Sequence, residues 1–375
     1  MLRKHLVPEV IYGEKARERI SQSLRNIGFE KPLIVSDKGL EEAGWLDNIT
    51  NILESDGINS YEIFTGVDVN PTEDNIKKGT DVFKKKRCDG LIALGGGSSI
   101  DCAKCIGILT TNQGEISEYT GVDKIKQAIP PLICLPTTAG SAADVSQFAI
   151  VRDKNKGVKY AIISKMLLSD LSLVDPEFLV TLDNENILLT AIDALSHSIE
   201  AILSTGSSQL TDLYAMRSIA IIKKELPIYL KDPTYSNARI QLHLASMLAG
   251  FAFSNASLGI IHAISHSLGG HSNLNHGFLN ASLLIPCLKF NYEDSLNFSK
   301  LAESLGADNN KESIINSIEK LLEKTGFKKK SLAHFNIEKD LSKIALIALE
   351  DPCILTNPRK PTKNDIKSII RESFN

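Results

Sequence analysis

The stretch HAISHSLGGHSNLNHG, at 262–277, puts four of the chain's eight histidines within fifteen residues. Six of the eight lie between positions 197 and 276. A buried imidazole must find partners for both ring nitrogens, and a divalent cation is one such partner. A second piece, AIDALSHSIEA, sets Asp193 and His197 four residues apart, on one face of a helix. His262 and His266 are also four apart, and His276 follows the turn-like GGHSNLNHG. One carboxylate with several neutral imidazoles suits Zn2+ or Fe2+. Such a set leaves the ion net positive, fit to act as a Lewis acid on a substrate oxygen. Spacing alone makes His262 and His266 the helical ligand pair.

A different chemistry is written in LIALGGGSSID, where an apolar run at 91–94 meets three glycines and two serines. The serines can cap a helix. Glycines let a backbone approach a ligand closely, and the helix start that follows suits phosphate. The pattern is not the G-x-G-x-x-G dinucleotide fingerprint. A second small-residue turn, PTTAGSAAD at 136–144, follows the next strand. In an open parallel sheet both turns fall on the carboxyl edge of the strands, where ligands bind, so together they favour a phosphate-bearing cofactor. Asp37 ends an earlier strand. Its carboxylate there can accept from ribose hydroxyls and repel a 2′-phosphate, which favours NAD over NADP. It can also cap the next helix.

The elements that carry these residues change character along the chain. Strand-like runs alternate with helical patterns in KPLIVSDKGL, INSYEIFTG, NPTEDNIKKGTDVFKKKR, CDGLIALGGGSSIDCAK and PPLICLPTTAGSAADVS. That alternation predicts a parallel sheet covered on both faces. From about position 178 the apolar residues recur every three or four positions and strand-like runs are few. The expected architecture is an α/β dinucleotide-binding domain over 1–178, then an all-helical metal and catalytic domain over 179–375, sharing a cleft.

Composition excludes some classes. The chain has 375 residues, 43% hydrophobic and 23% charged, with net charge −3. No polybasic surface for nucleic acid or anionic lipid is expected. The basic runs at 84–87 and 328–330 read as solvated helix ends. No run of eighteen apolar residues suggests a membrane helix, and MLRKHLVPEV lacks the apolar core of a signal peptide. Six scattered cysteines suggest reduced thiols and a cytoplasmic setting. Cys102 and Cys105 form a C-x-x-C that reads as small residues on a helix packed against a sheet.

These residues resemble the iron-containing, or group III metal-dependent, alcohol dehydrogenase family. The resemblance rests on NPT at 70–72, GGGSSIDCAK at 95–104, PTTAGSAADVS, KYAIIS, DALSHSIEA, GIIHAISHSLGGHSNLNHG, NASLLIP and ALEDPCILTNPR, in order over about 70 to 360. It implies metal held by Asp193, His197, His262 and His276. His266 would lie beside the ion and help proton transfer, and His271 has no counterpart. For NAD it implies Gly95, Gly96, Gly97, Ser98 and Asp101, then Thr137, Thr138 and Ser141, with Asn70 and Lys159 nearby and Asp37 as selector. It also implies a homodimer. The chain departs from a frequent T-G-S-E pattern at Ser141-Ala142-Ala143-Asp144, which bears on the shape around the nicotinamide. Phe148 and Phe253 are candidate substrate-pocket residues.

The expected function is hydride transfer between NAD(H) and a small alcohol or aldehyde, chiefly aldehyde reduction, with Fe2+ or Zn2+. The alternatives are a glycerol-dehydrogenase-like polyol enzyme and a reductase of an anionic short aldehyde such as succinic semialdehyde or sulfoacetaldehyde. More remote are a dehydroquinate-synthase-like lyase and a non-enzymatic metal- or nucleotide-binding protein.

Overall fold

Short apolar runs in the first half pair into one parallel sheet. The strands are β1 (Glu9–Tyr12), β2 (Pro32–Val35), β3 (Glu62–Phe64), β4 (Gly90–Gly95), β5 (Gly121–Val122), β6 (Leu132–Pro136), β7 (Phe148–Asp153), β8 (Val158–Ile163) and β9 (Leu171–Val174). Six of them form the sheet β1-β9-β6-β4-β2-β3, with every neighbouring pair parallel. β5, β8 and β7 make a small second sheet. The computed structural model describes residues 4–272, 274–293, 295–329 and 337–374.

The strand runs are continuously apolar because both faces of the sheet are covered. Leu33, Val35, Leu91, Ala93, Leu132 and Cys134 face one buried cluster, while Ile34, Ile92, Leu94, Ile133 and Leu135 face the other. α1 (Ile20–Ile27) and α3 (Trp45–Ser55) supply Leu24, Ile49 and Leu53 to the second cluster. The short α2 (Lys38–Glu42) follows β2. α4 (Glu73–Lys86) and α5 (Gly97–Thr111) supply Ile76, Phe83 and Ile106 to the first. α4 opens with a Thr72–Asn75 capping box and ends in the exposed run 84–87. Cys102 and Cys105 are free thiols buried within α5. Burial pushes both up, so they stay protonated.

From Asp183 onward the chain is helical, in a second unit that also takes in His5 and Lys154–Lys159. The first unit is Leu6–Asp153 with Tyr160–Leu182. The helices of the second are α6 (Asn184–Leu203), α7 (Gln209–Lys231), α8 (Ser236–Ala256), α9 (Ile260–Ser272), α10 (His276–Asn291), α11 (Leu296–Leu305), α12 (Lys311–Lys324), α13 (Leu341–Glu350) and α14 (Lys363–Ser373). A parallel α/β unit followed by a helical unit is the architecture expected. α6 is long and apolar enough to cross a membrane, but 89% of its apolar window is buried, so it serves as a core helix. Lys328 and Lys329 are exposed, and Lys330 lies outside the described residues.

Two details position the chemistry. Gly277 lies where α10 meets α6: a Cβ there would stand 2.3 Å from the Leu189 carbonyl oxygen. Only glycine permits that approach, which brings His276 beside α6. In the first unit, Lys104 is fully buried and its ammonium donates to the carbonyls of Ala143 (2.6 Å), Ser146 (2.6 Å) and Phe148 (2.9 Å). Burial lowers its pKa, and the three carbonyls offset that cost by hydrogen bonding to the charged form. Lys104 thereby fastens α5 to the segment that follows the second small-residue turn.

Lys104→Met removes the ammonium from those carbonyls and leaves Ala143 only the long Ser146 contacts at 3.4 Å. It should destabilise the protein by roughly 3 kcal/mol, since each unsatisfied buried group costs about 1–3 kcal/mol. Chemical denaturation measures this, and an unchanged midpoint contradicts the role.

Candidate metal and cofactor sites

α6 presents Asp193 and His197, α9 presents His262 and His266, and α10 begins at His276. Asp193 Oδ1 lies 3.8 Å from His197 Nε2, 3.5 Å from His262 Nε2 and 3.6 Å from His276 Nε2. A tetrahedral ion with ligand bonds near 2.1 Å has ligand–ligand edges of about 3.4 Å. The donor types and their spacing therefore fit a divalent cation. Three donors are nearly buried, while the His276 side chain is 28% exposed. The His197 ring stacks on both His262 (centroids 4.5 Å apart) and Phe253 (4.3 Å). Phe253 is buried against that candidate ligand.

In His262 and His276 the second ring nitrogen is held as well. His262 Nδ1 lies 2.7 Å from Glu200 Oε2, and His276 Nδ1 lies 2.8 Å from Ser265 Oγ. The Glu200 carboxylate can only accept, so it fixes the His262 tautomer that leaves Nε2 for an ion, while Ser265 orients the His276 ring. Glu200 does more. Its Oε2 accepts from the Gly259 N–H (3.0 Å) and its Oε1 from the Ile261 N–H (2.6 Å). Asn357 Oδ1 takes the Ile260 N–H between them (3.1 Å). One carboxylate from α6 thus caps α9 and orients a ligand on it.

Charge follows from these contacts. Burial alone would raise Asp193, but His197, His276 and His262 outweigh it and hold the carboxyl well below its usual range. Burial would lower His262, yet hydrogen bonds to Asp193 and Glu200 win, and it is pushed up to about 9. Burial drives His276 well below the ordinary imidazole value, so that ring is neutral.

His266 stands apart from the quartet. Its Nδ1 lies 2.9 Å from Asp351 Oδ2, and Asp351 Oδ1 accepts the Cys353 N–H at 2.8 Å. Its ring stacks on His276 with centroids 5.4 Å apart. The structure brings His262, not His266, to Asp193. His271 lies in a partly exposed pair with Asp340 (3.2 Å).

In the first unit the two turns meet. Gly95 ends β4, Gly96 caps α5 and Gly97 begins it. A Cβ on Gly97 would stand 2.8 Å from Ser141 Oγ, and one on Gly96 would stand 3.1 Å from Thr138 Cγ2. The Thr137 N–H donates to the Gly95 carbonyl (3.0 Å). Ser98 Oγ donates to the Val69 carbonyl, next to Asn70. Asp37, at the end of β2, caps α2 through Leu40 N–H (3.2 Å) and accepts from Ser99 Oγ (3.1 Å). These residues therefore gather at the carboxyl ends of the neighbouring strands β2, β4 and β6.

The remaining candidates lie elsewhere. Asp101 is buried and accepts the Ile150 N–H of β7 (3.1 Å). Phe148 is buried at the start of β7, its carbonyl on Lys104. Lys159 belongs to the helical unit, with Nζ 3.3 Å from where a Gly269 Cβ would sit. At the departure from the T-G-S-E pattern, Ala142 takes left-handed backbone and Asp144 is buried, accepting from Ser172 Oγ (2.6 Å). Sequence reasoning missed Lys104, Glu200, Asn280 and Asp351. All four were within the quoted motifs, Asp351 directly after the ALE of the C-terminal one.

Residues 8–176 match the profile of iron-containing alcohol dehydrogenase, and residues 187–374 match the C-terminal profile of the Fe-containing alcohol dehydrogenase family. The chain belongs to this family. Alcohol dehydrogenase 4 of Schizosaccharomyces pombe is 35% identical over 97% of this chain and 87% of its own length. The NAD-dependent methanol dehydrogenase of Bacillus methanolicus is 32% identical over 98% of both. A crystal structure of 1,3-propanediol oxidoreductase superposes with a TM-score of 0.94 at 32% identity, covering 100% of each chain. Iron, one of the two metals the donor types suit, is the metal that names the family.

Two outcomes follow for metal binding. His262 holds a proton until about pH 9, above its unperturbed value, and a metal must displace that proton. Apparent affinity of the metal-free protein should therefore rise about tenfold per pH unit from roughly 7 to 9 and level off above. Chelator-buffered titrations measure this, and a flat profile contradicts it. Glu200→Gln weakens the partner of His262 and should lower metal affinity by about 10- to 100-fold. The same titration reads it, and unchanged affinity would show Glu200 to be a helix cap alone.

Proposed function

We propose that this chain is an NAD(H)-dependent alcohol dehydrogenase that chiefly reduces small aldehydes to primary alcohols, with Fe2+ held by Asp193, His197, His262 and His276. The observation that carries this reading is the convergence of three imidazole Nε2 atoms on one buried carboxylate oxygen, at 3.5 to 3.8 Å. The small-alcohol substrates named for the relatives support the substrate class. The dinucleotide would lie over Gly95, Gly96, Gly97 and Ser98, with Thr137, Thr138 and Ser141 at the adjoining turn. Asp37 would meet the adenosine ribose and select NAD. Asn70, Asp101 and Lys159 belong to this reading as supporting residues, and Phe148 and Phe253 as shapers of the substrate surroundings. The six free, buried cysteines suit a cytoplasmic enzyme, and a homodimer completes the reading.

When bound, the metal supplies Lewis acidity toward a substrate oxygen and the dinucleotide carries the hydride. The chain's own residues do the rest. Asp193 brings the negative charge that retains a cation. Glu200 holds His262 in the ligating tautomer, and Ser265 orients His276. Asp351 orients His266 through Nδ1, leaving Nε2 to take up or release the substrate proton.

His276→Ala should lose metal. His266→Ala should keep it, while turnover falls by roughly 10²- to 10⁴-fold. Elemental analysis beside NADH consumption with a panel of short aldehydes, under anaerobic Fe2+, reads both. Metal loss in His266→Ala or normal metal in His276→Ala would overturn the assignment. A metal-loaded protein that binds NADH and reduces no aldehyde would overturn the activity.

A further inference from the structure

Asn280 sits one helical turn after His276 on α10 and is fully buried. Its amide nitrogen lies 2.6 Å from Asp193 Oδ1, 3.1 Å from His262 Nε2 and 3.3 Å from His276 Nε2. It therefore faces three of the four proposed ligand atoms. Its own oxygen, Oδ1, is buried with no hydrogen-bond partner. A buried amide that spends its donors on one cluster and leaves its acceptor idle is arranged for that cluster.

The contacts compete with a metal. His276 engages Ser265 through Nδ1, so the ring turns Nε2 and its lone pair to the cluster. That lone pair serves either the amide or an ion. Asp193 Oδ1 likewise takes a donor at 2.6 Å where a cation would otherwise balance its charge. With a cation in place, the amide's positive N–H end would face like charge, and turning the side chain would present the idle Oδ1 instead.

We propose that Asn280 is a placeholder for the metal: its amide hydrogen-bonds to the donor cluster and organises it in the metal-free protein, and must turn away as the ion enters. The inference rests on the ligand set proposed above. It assigns Asn280 a positioning role that lowers metal affinity while preserving the site before loading. Two consequences are opposite to those of a ligand. Removing the amide should destabilise the metal-free form more than the loaded form. By linkage it should also tighten metal binding.

The test uses the full chain with Zn2+ as probe, measured by chelator competition and by thermal melting with and without metal. Asn280→Ala should bind Zn2+ about tenfold more tightly than wild type, the scale of one lost hydrogen bond to a charged group. Its Tm should fall more without metal than with it. Asn280→Asp keeps the side chain's shape, removes both hydrogens and adds charge, so it should tighten binding further. It carries the same comparison if the alanine variant does not fold. Unchanged or weaker binding, or an equal Tm loss in both states, would overturn the proposal. Wild type and His276→Ala run beside them separate the two levels. Failure of wild type to bind one ion, or normal binding by His276→Ala, refutes the ligand set. Intact controls without a gain in the Asn280 variants refute only the placeholder.

Discussion

A negative charge inside a helical core must be balanced, and Asp193 imposes that requirement on everything around it. Asp193 is 5% exposed, on a helix with sixteen of its twenty residues buried. An ionised group so placed persists only with charge or dense hydrogen bonding around it. Three imidazoles, an amide and, by the family's chemistry, a cation answer that need. Each answering residue then needs support of its own. Glu200 holds His262, Ser265 holds His276, and Phe253 and His262 stack against His197. The helical unit is arranged outward from one oxygen atom.

The α/β unit is governed by a different constraint. Its strands are buried on both faces, so polar chemistry is confined to the strand ends. Small residues there let a neighbouring side chain approach the backbone closely, as Ser141 does at Gly97. Lys104 supports the arrangement from beneath, spending a buried charge to hold a loop rather than to do chemistry. Asp37 combines two tasks, capping a helix while keeping its carboxylate at the strand end.

Much of this was legible in the sequence. Unbroken apolar runs revealed the parallel sheet because a doubly covered strand has no polar face to show. Periodicity revealed the helical half for the matching reason. Donor types pointed to a metal. Spacing did not show which of the paired histidines meets Asp193. His262 and His266 occupy one helix face, but one turn of rise carries His266 to Asp351, and only His262 reaches Asp193. The family resemblance separated them. Glu200, Asn280 and Asp351 stayed hidden because their importance lies in what they touch across 62, 87 and 85 positions of chain. Lys104 read as part of a glycine motif, since nothing local distinguishes a buried lysine from a solvated one.

His276 differs from its three companions in one further respect. Asp193 and His197 lie inside α6, and His262 lies in the first turn of α9, which Glu200 and Asn357 hold through three N–H groups, whereas His276 is the first residue of α10, capped by Asn275 and 28% exposed at its side chain. First turns open far more readily than helix interiors. On the proposed ligand set, retention of the ion would follow the fraying of that single turn rather than the stability of the fold. A chain that resists unfolding for days could still exchange its metal within the lifetime of one local opening.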